Sequence, residues 1–413
     1  MDKLKKKDIV FLSFGAYATK SGLIYSQMIK FADYLSSCNV FNSVQSICIL
    51  PKISTYRRFK THSKNLKELE SSVSSGLFFF NSWLLNGKMF SFIFKKIFYK
   101  KLKSKIYDRI QSLDEIIFHC RSYYATDFAL YIKEEYPDKN IKVVFDMRSL
   151  LPPEFPYTSR LFGKYIYVSG KEWERQLIKK SDLSLLVTQN AIELLKLEDS
   201  TYKNIHYIPI IGFEKHQRAG DIESEFDERW KKKSFGYVGS VGLWHNLESI
   251  EYVANKLKLD FCSNHDFKIA TNNKNLLTKL QTTSIPNDQM PEFYRKQLAV
   301  IIPGVVNELD YFKALQMTSN LFSTKASEAL SLGVPLIVNN QISELANLVT
   351  ENECGIVFEY NPEEQKIEFI NASNEDLNSK VFWENLTRNA YKLGSNYQKE
   401  NAQKMYLDYW SLL

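Results

Sequence analysis

Short apolar runs bounded by glycine, proline and small polar clusters alternate along most of this chain with stretches of helical periodicity. That alternation predicts parallel sheets joined by crossover helices. The first run, Ile9 to Phe14, stops at Gly15 and gives way to a helical pattern from about Gly22 to Leu35; Val44 to Leu50 reads as the next strand. Glu115 to His119 and Ile141 to Asp146 are strands that end in polar residues, and the carboxyl ends of strands are where an open α/β sheet meets its ligands. Asp182 to Val187 follows as a strand, after an amphipathic helix near Trp173 to Lys180. Tyr207 to Ile210 predicts the passage to a second unit, which opens with Phe235 to Gly242 and has strands at Phe267 to Thr271, Leu298 to Ile302 and Pro335 to Val338. From roughly Asn396 to Leu413 the pattern is helical again, anchored by Tyr406, Tyr409 and Trp410. No internal repeat and no low-complexity linker interrupts this order.

A chain of 413 residues has room for two domains with separate cores. Its 44% hydrophobic and 24% charged content is that of a globular protein. The net charge of +7 favours anionic partners without choosing among nucleic acid, anionic lipid and nucleotide sugar. Cys38, Cys48, Cys120, Cys262 and Cys354 are scattered and lack metal-ligand spacing, so buried reduced thiols are expected and no metal site. The lysine-rich start resembles a signal peptide only superficially, because its apolar run is short and reads better as a strand. No apolar stretch is long enough to cross a bilayer. Phosphate-loop, nucleophile-elbow and zinc-helix motifs are absent, as is any nucleic-acid module.

Candidate chemistry concentrates in four places. Ser323 to Val338 reads as a short helix, a Gly333 stop, Pro335 and a buried strand. Lys325 and Glu328, three apart, share the face of its first turn. There, backbone N–H groups and lysine can meet phosphate while the carboxylate accepts from ribose hydroxyls; an ordinary surface ion pair is the other reading. Tyr237 to Asn246 is a strand running into a loop with Gly239, Ser240 and Gly242, where small residues admit a diphosphate to the backbone. His245 and Asn246 there are either donor contacts or helix caps. Gly15 to Gly22, with Lys20, is either a phosphate-approaching loop or a plain strand-to-helix turn. His119-Cys120-Arg121-Ser122 and Asp146-Met147-Arg148, the latter followed by Glu154, close two strands; Asp146 and Arg148 read equally as a buried ion pair.

These motifs, in this order, resemble the retaining glycosyltransferases of family 4 over nearly the whole chain. That family carries Lys–x–x–Glu or Glu–x7–Glu in the donor site; this chain has Lys325 and Glu328, with Asn320 at the first position of the longer pattern. The resemblance implies the GT-B fold: two Rossmann-like domains facing across a cleft, with a C-terminal helix packing back on the first. Residues 1–209 plus about 396–413 would form an acceptor-binding domain and 210–395 a nucleotide-sugar-binding domain. His119 would be the sugar-proximal histidine, with Arg121, Asp146 and Arg148 on the acceptor side. Gly15, Gly22, Gly239, Ser240, Gly242, His245, Asn246, Lys325 and Glu328 would bind the donor, and His119, Lys325 and Glu328 would serve catalysis. Transfer would be retaining and metal-independent, need no cofactor, and move a hexosyl unit from a nucleotide diphosphate sugar, UDP-linked by expectation, to a lipid-linked glycan in cell-envelope polysaccharide synthesis. A sugar-nucleotide 2-epimerase shares the architecture, and Asn320 keeps a non-catalytic accessory protein in view.

Residues 77–105 contain no acidic side chain. Phe90, Phe94, Ile97 and Lys101 follow helical spacing, which predicts either a helix resting on an anionic membrane surface or a basic core helix. The membrane reading places the protein in the cytoplasm, peripherally bound to the inner face of the cell membrane.

Overall fold

Strands in this chain are continuous apolar runs because most of them are covered on both faces. In β1 (Asp8–Phe14) every residue is buried, as a parallel sheet between layers of helices requires. The computed structural model describes residues 4–15, 22, 24–51, 59–82, 89–154, 163–217, 221–242, 245, 247–261, 266–271, 276, 278–304, 321–361, 363–364 and 366–413. Lys20, Asn246, Cys262 and Asn320, and the side chains of Phe90 and Phe94, lie outside them.

Two compact units emerge. The first comprises Met1–Leu186, Ala191–Tyr207 and Tyr406–Leu413; the second comprises Val187–Asn190 and Ile208–Met405. In the first, β1, β2 (Ser43–Pro51), β3 (Gly76–Ser82), β4 (Glu115–Arg121), β5 (Asn140–Asp146), β6 (Leu183–Leu186) and β7 (Ile205–Tyr207) form one sheet in the order 3-2-1-4-5-6-7. All its pairings are parallel. In the second, β8 (Ser234–Val238), β9 (Asp266–Ala270), β10 (Gln281–Thr283), β11 (Ala299–Ile302), β12 (Leu336–Asn339), β13 (Gly355–Asn361) and β14 (Lys366–Phe369) run in the order 10-9-8-11-12-13-14, with only β14 antiparallel. Each order reverses once, between β1 and β4 and between β8 and β11. At such a reversal neighbouring crossovers leave in opposite directions and open a crevice at the strand ends.

Three sequence expectations change. The helix expected from about Gly22 to Leu35 begins as a π-turn, Tyr25–Ile29, and becomes α-helical at Lys30–Ser37. The second unit has a helix before its first strand, Ile222–Lys232, capped by the Asp221 carboxylate accepting from the Glu223 and Ser224 amides. Its acidic first turn and basic last turn are legible helix signals that the apolar pattern alone does not register. The segment 77–105 divides into a strand and a helix. Leu77 to Ser82 belong to β3 and pair with β2, while Met89–Ile110 is a helix whose Tyr99, Leu102, Ile106 and Ile110 are buried in the first core. Those four recur every three or four residues and set the inward face; Ile97 and Lys101 point out.

The helix Lys399–Trp410 begins among residues of the second unit, and its last turn, from Tyr406, belongs to the first. Trp410 is fully buried there against Phe11, Phe31 and Phe41.

Helix Thr324–Ser331 is held by close backbone contact with helix Lys380–Gly394: a Cβ added at Gly394 would lie 1.7 Å from the Leu330 carbonyl oxygen. Neither backbone can yield locally. Gly394→Ala is therefore expected to cost about 1–3 kcal/mol of stability through overpacking, seen as a lowered midpoint in chemical denaturation of the full chain.

Candidate functional site

The reversal between β8 and β11 organises the second unit's candidate site. β8 ends at Val238, and Gly239 turns the chain with φ +116°. That backbone angle disfavours a side chain there, and an added Cβ would lie 2.6 Å from Lys325 Cε and push that flexible side chain aside. The loop then holds itself: the Tyr237 hydroxyl donates to the Ser240 carbonyl at 2.7 Å, and the Gly242 amide donates to the His245 carbonyl at 3.0 Å. Ser240 and Gly242 are exposed, and a Cβ at Gly242 would meet nothing within 4 Å. Glycine at 242 thus has no internal steric cause, which leaves the loop surface open to a ligand.

Lys325 and Glu328 project from the first turns of helix Thr324–Ser331, whose N-cap Ser323 makes no side-chain capping bond. They do not pair with each other. The Glu328 carboxylate accepts from the Tyr294 hydroxyl at 2.8 Å, and the Lys325 ammonium lies 5.5 Å over the Tyr237 ring with no carboxylate partner among the described residues. Burial lowers Lys325 to about 8, against the pull of Glu328. Burial raises Glu328 to about 7, against the Tyr294 hydrogen bond and Lys325. A cation in the first turn of a helix opposes the helix dipole, and an incoming anion relieves both. The His245 ring, 6.1 Å from Tyr237, has a buried Nδ1 without a partner; burial and then the Lys325 charge hold it well below its ordinary value. It neither caps a helix through that atom nor carries charge at neutral pH.

The sequence pointed to Lys325, Glu328, Gly239, Ser240, Gly242 and His245, and the fold brings them together. It missed Tyr237 and Tyr294, which orient the pair, and Arg229. The Arg229 side chain is 2% exposed and donates to the Arg295 carbonyl at 2.7 Å and the Gly333 carbonyl at 3.2 Å, fixing the exit of the helix. A charged residue in the last turn of a surface-patterned helix gives no sign of burial.

In the first unit, the ends of β4 and β5 gather all four residues expected on the acceptor side or beside the sugar. Arg148 Nε donates to Asp146 Oδ2 at 2.7 Å and its Nη2 donates to the Tyr406 hydroxyl at 2.8 Å. His119 Nε2 lies 3.3 Å from the same Asp146 oxygen, and Arg121 Nη2 donates to Gln27 Oε1 at 3.0 Å. Burial pushes the Asp146 carboxyl up, but Arg148 and then His119 more than offset it and hold it well below the usual carboxylate range. The His119 ring is 3% exposed, boxed by Phe11, Tyr406 and Trp410 at 5.0, 5.4 and 5.4 Å; burial lowers its pKa despite the Asp146 hydrogen bond. Arg121 and Arg148 each keep a buried Nη1 with no partner. Gly15 sits at the end of β1 with φ 74°, and Gly22 accepts the first amides of the π-turn; residues 16–21 between them lie outside the described residues.

Two non-glycine residues at these strand ends have positive φ: Ser122 at 79° and Arg148 at 61°. Ser122, with ψ 174°, occupies a region open almost only to glycine. Its amide donates to the Asp146 carbonyl at 2.9 Å, so pairing between the strand ends holds the strain in place.

No protein-family model and no curated protein matches the chain. Solved structures do. Sucrose-phosphate synthase from Thermosynechococcus elongatus aligns with a TM-score of 0.66 at 12% identity, covering 98% of this chain and 99% of that one. HepE from Anabaena in complex with UDP-glucose aligns with a TM-score of 0.63 at 12% identity, covering 98% and 100%. A putative UDP-N-acetylglucosamine 2-epimerase from Listeria monocytogenes aligns with a TM-score of 0.52 at 12% identity, covering 98% and 95%. The chain has the GT-B fold. Identities this low carry the fold and nothing finer, but they bear out the two Rossmann-like units expected from the sequence.

Two substitutions test this geometry. Gly239→Ala places a side chain at a positive φ and pushes Lys325 aside, and is expected to lower stability by about 1–3 kcal/mol, seen as a lower thermal midpoint. Ser122→Gly relieves strain and is expected to raise stability by about 1 kcal/mol, seen as a higher thermal midpoint; a lowered midpoint would mean that the serine side chain holds the turn.

Proposed function

We propose that this protein is a retaining nucleotide-sugar glycosyltransferase of the family 4 kind. The observation that carries the reading is Lys325: a cation without a carboxylate partner among the described residues, at a helix N-terminus, beneath Gly239 and beside Glu328. Such a group needs an anion, and a nucleoside diphosphate supplies one. HepE from Anabaena was solved in complex with UDP and with UDP-glucose, which favours a UDP-sugar donor. Lys325 and the Gly239–Gly242 backbone would bind the diphosphate, while Glu328, positioned by Tyr294, would accept from ribose hydroxyls.

In the transfer, the bond between the sugar C1 and the diphosphate oxygen breaks while the acceptor oxygen bonds to C1 from the same face. The acceptor proton passes to the leaving diphosphate oxygen, so no protein nucleophile is needed. Lys325 and the helix amides offset the charge that builds on the diphosphate. His119 and Asp146, boxed behind the ends of β4 and β5, are positioning residues for Arg148 and the acceptor-side surface. The same proposal includes metal independence, a lipid-linked glycan acceptor, a role in cell-envelope polysaccharide synthesis, and work at the cytoplasmic face of the membrane. The outward face of helix Met89–Ile110 supports the last of these: it exposes Lys96, Lys100, Lys101 and Lys105. Among the described residues no helix is long and apolar enough to cross a membrane.

Titration with UDP, GDP and other nucleoside diphosphates tests the donor site. One nucleotide should bind saturably, and Glu328→Ala or Lys325→Ala should each weaken it by about 10- to 100-fold, the range for charge-assisted hydrogen bonds. No binding at millimolar nucleotide would leave the accessory-protein reading, and an epimerised nucleotide sugar among the products would establish the epimerase. Retention is read from the anomeric configuration of the product, and metal independence from transfer that survives a chelator.

The pH dependence has a definite sign. Lys325 loses its charge in the empty site as pH rises through about 8, and Glu328 gains a proton as pH falls through about 7. Affinity is therefore expected to peak between those values. Lys325→Ala should remove the alkaline fall and leave the acid one.

A further inference from the structure

At the sheet edge of the first unit, β3 and helix Met89–Ile110 enclose a cavity of about 520 Å³, within the range of small-molecule sites. Phe79 and Phe80 of β3 and Phe98 and Leu102 of the helix give it apolar walls, and Lys101 and Lys105, both exposed, line it as well. The two lysines are four apart and so share one helix face. On the same helix, Lys95 bridges Asp127 at 2.7 Å and Lys103 pairs with Glu135. Lys101 and Lys105 have no acidic partner among the described residues. Two like charges four apart repel, and a single anion between them reverses the sign of that interaction.

We propose that this cavity binds an amphiphilic phosphate, its headgroup between Lys101 and Lys105 and the adjoining hydrocarbon against the phenylalanines and Leu102. A saccharide suits it less well, because among the described lining residues the only uncharged polar side chains are Asn81 and Ser82, and Ser82 is buried. The inference rests on the lipid-linked acceptor of the proposed function and gives its lipid phosphate a place on the first unit, apart from Lys325 and Glu328. It differs from general attraction to a charged surface in requiring phosphate and hydrocarbon on one molecule.

Calorimetric titration of the full-length protein with farnesyl phosphate, farnesol and inorganic phosphate separates these sources. Farnesyl phosphate is expected to saturate one site, with farnesol and inorganic phosphate each at least about tenfold weaker. Lys101→Glu with Lys105→Glu should lower its affinity about thirtyfold or more, as two near-surface lysines imply, and Lys101→Gln with Lys105→Gln by less. Both pairs are exposed positions, so thermal midpoints and UDP binding should match wild type. Farnesyl phosphate that does not saturate, that binds no better than inorganic phosphate, or that ignores the charge reversal overturns the inference. UDP binding, measured in parallel, reports on the donor site alone, so either reading can fail without the other.

Discussion

Close backbone contact between helix Thr324–Ser331 and helix Lys380–Gly394 is the constraint on which the second unit's site depends. With only a hydrogen at Gly394, the two helices approach until an added carbon would overlap the Leu330 carbonyl. Arg229 ties the exit of the same helix through the Gly333 carbonyl. Lys325 and Glu328 stand on a rigid base, and their neighbours Tyr237 and Tyr294 are themselves buried in the unit. Half-buried charges that do not pair carry a desolvation cost, and only a rigid surround can keep them apart. Without it the lysine would swing onto the carboxylate, and the site would close into the surface ion pair that the sequence equally allowed.

The first unit solves a different problem. Its strand ends hold a carboxylate, two guanidiniums and an imidazole largely out of solvent, with Asp146 shared by Arg148 and His119. Tyr406 completes the set from the C-terminal helix, and Trp410 closes over the imidazole. Here Asp146 holds a guanidinium and an imidazole together, though Arg121 and Arg148 each keep a buried Nη1 without a partner, whereas in the second unit the lysine has no carboxylate partner among the described residues.

Much of this was legible in the sequence because both sheets are parallel and buried, so the central strands are unbroken apolar runs. Lys325 and Glu328 were legible because helical spacing alone puts them on one face. β3 was not, because Leu77 to Phe80 run without alternation toward a basic helical segment, and only pairing with β2 separates them. The enclosure of His119 was hidden for a related reason. The strand-end position is local, while the walls around the ring include Tyr406 and Trp410, which no pattern near His119 announces. Asn246 and Asn320 lie outside the described residues, and the alternatives attached to them rest on sequence alone.

The return of Tyr406 to Leu413 has a consequence for the order of events in biosynthesis. This segment follows the whole second unit in the chain, yet the buried ion cluster of the first unit is incomplete without it. The first sheet can assemble as it emerges, but its strand ends must wait, with Asp146 and Arg148 hydrated and Phe11 uncovered, until the second unit has been synthesised. Domains usually fold in the order in which they are made. Here the last step of the earlier unit comes after the later one, so the strand ends of the first sheet are completed only once the whole chain has been made.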